Sequence, residues 1–154
     1  MKTFHFPLEP LRVLRRQKER AALQRYARSL SVCDSAAAQL EKATTELASA
    51  RELLARELNT GVSAAKMMNL RTWSMALEIH QHERKAALAE ARRISQLAFQ
   101  EMNAARRDRE GLDRFYDKAR RVHAQQMFRA EQKGLDELAM LAGSGPLQSN
   151  ISQF

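Results

Sequence analysis

Asn59, Thr60, Gly61, Val62 and Ser63 interrupt an otherwise continuous helical sequence. From Leu11 to Leu58 there is no proline or glycine, and the next glycine after the break is Gly111. Gly61 is able to take the left-handed conformation that ends a helix, and Ser63 or Asn69 can cap the one that follows. Upstream, Pro7 and Pro10 mark the start of the first helix, since proline is tolerated in a first turn and excluded from the interior. Roughly 50 uninterrupted residues make a rod of about 75 Å. The break therefore predicts an all-α fold, a long antiparallel two-helix coiled-coil hairpin. Its boundaries are expected at about 8–58 for the first helix, 59–68 for the turn and 69–142 for the second helix.

Apolar and small residues support the pairing by recurring seven apart. One row is Leu23, Leu30, Ala37 and Leu58, and the other is Tyr26, Cys33, Leu40, Leu47 and Leu54. Such rows form a coiled-coil seam. With alanine at many of these positions the core is thin, and a partner is expected to add to stability. Gly111 and Gly134 fall inside the second helix, where each costs about 1 kcal/mol relative to alanine. They predict flexible points or close backbone approach, with fraying beyond Gly134. Residues 143–154 carry no apolar period and are expected to be a disordered tail.

The chain has a formal charge of +8 over 154 residues, and the charge is unevenly spread. Residues 1–38 hold eight Lys/Arg against three acids, and residues 102–133 hold nine against five, while 39–101 is nearly balanced at nine against eight. A hairpin brings the two basic segments together at the end away from the turn, where they attract something acidic or simply form a solvated face. Arg12, Arg15, Arg16, Lys18, Arg20, Arg25 and Arg28, with Arg106, Arg107, Arg109, Arg120 and Arg121, would serve phosphates by charge alone. Few aromatics interleave and no recognition fold is visible, so nucleic acid is a minor alternative.

No enzyme motif occurs: there is neither a glycine-rich phosphate loop nor a serine elbow, and the single Cys33 excludes a cysteine-based zinc site. His80 and His82 are two residues apart on a helix and point to different sides, which argues against a metal site. No cofactor and no small-molecule substrate are expected. No stretch approaches the roughly 20 apolar residues of a membrane span, and no signal-peptide pattern precedes Arg12, so the protein is expected in the cytoplasm. After the turn the helix is apolar on more than one side. Trp73, Leu77, His80 and Arg84 form one row, and Met68, Met75, Ile79 and Ala86 form another. Only one can face the first helix, and the other is a candidate contact site. Trp73 is either a binding hot spot or a core anchor near the turn.

The opening Phe4, His5, Phe6, Pro7, Leu8, Glu9, Pro10, Leu11, Arg12, the turn Gly61 to Asn69 leading into Trp73 and Leu77, and the closing Glu131 to Ala139 resemble the flagellar export protein FliJ family over nearly the whole chain. The resemblance implies a non-enzymatic, stalk-like component of the flagellar type III export apparatus. It would bind the hexameric export ATPase, promote its assembly, link it to the cytoplasmic domain of the membrane export gate, and escort export chaperones. Its place would be the cytoplasm, peripherally associated with the inner membrane at the flagellar base. Carried across, Trp73, Leu77, His80 and Arg84 are the gate-binding positions, although His80 and Arg84 depart from the family's small residue and histidine. ATPase binding is expected of Leu8, Leu11, Arg12, Leu14, Arg15, Arg16, Arg20, Leu135 and Leu138. A coiled-coil adaptor of a virulence secretion system and a basic nucleic-acid-binding hairpin are the alternatives.

Overall fold

The computed structural model describes residues 3–143 and consists of two long helices packed against each other, α1 (Glu9–Thr60) and α2 (Ala64–Gly143). No strand occurs among the described residues, so the fold is an all-α helical hairpin. Helix α1 begins where the two prolines allow it. The Glu9 amide donates to the Phe6 carbonyl at 3.1 Å and the Arg12 amide to the Leu8 carbonyl at 3.0 Å, which leaves Pro10 in the first turn, where its missing N–H has no partner to lose. At the other end Gly61 takes a φ of +75° and closes the helix in the left-handed conformation.

The turn is shorter than the expected 59–68. Helix α2 starts at Ala64, ahead of Asn69, because Ser63 already supplies a complete cap: its hydroxyl accepts the Lys66 amide at 3.4 Å and its carbonyl the Met67 amide at 3.1 Å. With Ala64, Ala65 and Lys66 all good helix formers, nothing delays nucleation. Nor does α2 stop at Gly134; it runs through both internal glycines to Gly143. A Cβ added at Gly111 or Gly134 would meet nothing within 4 Å, so of the two expectations for these glycines, flexible points or close backbone approach, the close approach does not occur. The expected tail falls outside the described residues beyond Gly143, which is itself helical.

The described residues divide into two units, 13–109 and a second comprising 3–12 with 110–143. In the first, contacts run antiparallel: Arg51 donates to Glu78 at 2.6 Å, Gln81 to Thr44 at 3.1 Å and Arg84 to Gln39 at 2.7 Å, and the Tyr26 and Phe99 rings lie 5.3 Å apart. Residue numbers rise on α1 as they fall on α2. The seam uses Tyr26, Cys33, Leu40, Leu47 and Leu54 as expected, but its second row is displaced by one residue. Ala22, Ser29, Ala43 and Ala50 are buried, with Ala36 half-buried, whereas Leu23 is 53% exposed and Leu30, Ala37 and Leu58 also face outward. On α2 the buried seam positions are Ser74, Leu88 and Ser95 in one row and Ala91 in the other. Small side chains let two backbones approach closely, and bulky leucines at the same positions would hold them apart. Leu47, 3% exposed, and Leu88, 7% exposed, are the largest buried side chains of this unit.

The second unit is built differently. Residues 3–8 pack their aromatic rings onto α2 and leave Phe6 only 4% exposed. Phe6 stands edge-on to Tyr116 at 5.1 Å and 5.9 Å from Phe115, while Phe4 lies 5.7 Å from Tyr116 and 5.4 Å from His123.

Candidate docking surfaces

Near the turn, α2 follows the heptad phase Met67, Leu70, Ser74, Leu77, Gln81, Arg84, Leu88, all buried or half-buried. This phase splits the four expected gate positions between two directions. Leu77 and Arg84 lie on the seam one heptad apart, and the Arg84 guanidinium is held by Gln39 of α1. Trp73 precedes a seam position and flanks it, 47% exposed, so the ring is outside rather than a core anchor. His80 occupies the equivalent flank one heptad on and lines a cleft of about 170 Å³ with Gln39, Lys42, Glu46 and Arg84. Met68, Met75 and Ile79 all face solvent on another side of the helix. The exposed tryptophan and its half-buried histidine neighbour thus share a flank, while the leucine between them mainly serves packing.

Further from the turn within the same unit, charge replaces apolar packing. Glu19 and Arg109 pair from seam positions, Arg15 pairs with Asp108, and Arg25 reaches Glu101 at 3.5 Å. Leu14, Arg16 and Arg20 are exposed, and Arg20 makes no ion pair among the described residues. Of the arginines expected to steer a partner here, Arg15 is therefore largely engaged within the hairpin, whereas Arg20 is available.

In the second unit, Arg12 is tied down. Its Nε donates to Asp113 Oδ1 at 2.7 Å, Nη1 reaches Glu9 at 3.3 Å, and the guanidinium carbon lies 3.9 Å from the centre of the Tyr116 ring. The hydrogen bond to Asp113, partly opposed by burial, raises its pKa above the ordinary arginine value. Charge-assisted hydrogen bonding and ring stacking are uses for which arginine is suited. Arg12 thus clamps the amino-terminal segment. Leu8 and Leu11 are partly exposed beside this clasp, and Leu135 and Leu138 are strongly exposed on α2. Arg114, Lys118, Arg120 and Arg121 face solvent without ion-pair partners among the described residues.

Sequence reasoning missed the clasp of Phe6, Phe115, Tyr116, His123 and Asp113. A signal was present: Phe4 and Phe6 precede Gly61 by about as many residues as Phe115 and Tyr116 follow it, so folding at the turn brings the two aromatic pairs level. Among the described residues no group of three His, Cys, Asp or Glu side chains is placed to hold a metal ion, and no helix is long and apolar enough to cross a membrane.

A family model described as flagellar FliJ protein matches residues 4–147. Among curated proteins and among solved structures there is no match to the chain.

Proposed function

The chain belongs to the flagellar FliJ protein family and is a component of flagellar protein export, and from that premise we propose that it is the non-enzymatic stalk that binds the export ATPase ring, promotes its assembly and links it to the export gate. The observation that carries this reading is the family match across both helices, because paired antiparallel helices such as those of unit 13–109 suit insertion into a ring. In unit 13–109 the proposed ATPase contacts are Leu14 and Arg20, with Arg16 adding positive charge; in the other unit they are Leu8, Leu11, Leu135 and Leu138. Arg12 and Arg15 support the contact by holding their segments in place. The gate contact centres on Trp73, with His80 beside it and Leu77 and Arg84 fixing the helix beneath. Export chaperones are further proposed partners, and peripheral association with the inner membrane follows from the gate.

ATP turnover and oligomeric state of the purified flagellar export ATPase, with and without this protein at two salt concentrations, test the reading. Stimulated turnover with ring formation, weaker at high salt, is expected. No change in either would remove the ATPase role and leave an adaptor at the gate or a polyanion binder.

A further inference from the structure

The leucine row that mimics a seam in the sequence lies outside it. Apart from Val13 and Leu14 at one edge, the exposed large apolar residues of unit 13–109 fall into two groups. One lies near the turn, from Leu53 to Ile79. The other comprises Leu23, Leu30 and Val32 on α1 and Ile94, Leu97 and Phe99 on α2. Between the groups, over 33–52 and 80–93, no large apolar side chain is exposed.

The second group covers both flanks of the helix pair at one level. On one flank Leu30 and Phe99 line a groove of about 330 Å³ together with Tyr26, whose ring packs against Phe99. The opposite flank is defined by the ion pair of Arg25 with Glu101. One heptad onward along α1 and one heptad back along α2 are Val32 and Ile94, which regular antiparallel pairing sets across from each other. Leu30 and Val32, two residues apart, project about 200° from one another around α1. A partner with a flat surface would cover one flank and leave the other wet.

We propose that this level is a collar gripped on both flanks by an enclosing protein ring with an apolar lining. Two helices of about 10 Å diameter lying side by side require a bore of about 20 Å. The proposal rests on the reading of the chain as a ring-binding stalk and adds the level at which the ring closes around it. The charged layers Glu19–Arg109 and Arg15–Asp108 lie further from the turn than the collar and set the helix register there.

The test places a photo-reactive side chain, in separate full-length proteins, at position 30, 32 or 20, and mixes each with the purified flagellar export ATPase and nucleotide. Cross-links to the ATPase from both 30 and 32 are expected. Cross-linking from only one of these two would reveal a flat contact and overturn the collar. Cross-linking from 20 alone would overturn it while the ATPase reading stands. No cross-link from any position, with ATP turnover unchanged, would remove both. Chain-to-chain cross-links from 30 and 32 without ATPase would show that a second copy covers the surface, and would also overturn the proposal. In parallel, Leu30→Gln and Val32→Gln are each expected to weaken ATPase binding about tenfold with helicity and thermal midpoint unchanged; an effect from only one counts against the collar.

Discussion

Two glycines in the same chain have opposite physical roles. Gly61 holds a φ of +75°, where a side chain is strained, whereas Gly111 sits inside α2 with open space around it. Gly61→Ala is expected to lower stability by about 1 kcal/mol, and Gly111→Ala to raise it by about 0.5–1 kcal/mol. Thermal unfolding followed by circular dichroism checks both, and a shift of the same sign for the two would contradict these assignments. Phe6 is the residue on which the amino-terminal clasp depends, since its ring is nearly all buried and touches both Phe115 and Tyr116. Phe6→Ala is expected to remove about 3 kcal/mol from that packing. Hydrogen exchange should then rise at Phe4 to Arg12 and stay unchanged from Leu40 to Leu54. Loss of protection along all of α1 would mean that the clasp holds far more than its own segment.

At the scale of the helix, the seam was half legible. The row from Tyr26 to Leu54 could be read from the sequence because its residues are apolar, large or thiol-bearing, and strictly seven apart. Its partner could not, because leucines at 23, 30 and 58 present a stronger apolar period than the buried Ala22, Ser29, Ala43 and Ala50 beside them. Hydrophobicity favours the leucines, but close approach of two helices favours the small residues. Leu23→Gln is accordingly expected to change stability by no more than about 0.5 kcal/mol, and Leu47→Ala to cost about 2–5 kcal/mol. Urea unfolding of both variants measures the contrast, and comparable losses would restore Leu23 to the core. The charged seam layer yields a different prediction. Replacing Glu19 and Arg109 together by leucine should be neutral or stabilising in thermal unfolding, whereas Glu19→Leu alone should destabilise by leaving a half-buried guanidinium without that carboxylate. A double variant less stable than the single one would show that the pair contributes more than register.

For the molecule as a whole, the proposed gate contact is tested most cleanly at Trp73, because Leu77 lies in the seam and its truncation would confound binding with stability. Trp73→Ala is expected to keep helicity and ATPase stimulation while weakening binding to the isolated cytoplasmic domain of the gate at least about tenfold. Unaltered gate binding would remove that site from the proposal. Helix, break and hairpin were determined by the sequence itself, through the absence of proline and glycine from Leu11 to Leu58 and the placement of Gly61 and Ser63, all of which act within a few bonds of their own position. So was the excess of positive charge toward both ends, since charge is a property of composition. Only the tertiary structure decided which of two neighbouring rows is buried, which arginines are spent on internal pairs such as Arg12 with Asp113 and Arg15 with Asp108, and which aromatic rings meet. Those outcomes depend on the register and separation of residues about a hundred positions apart, and on whether two backbones come close enough for alanine and serine to fill the space between them.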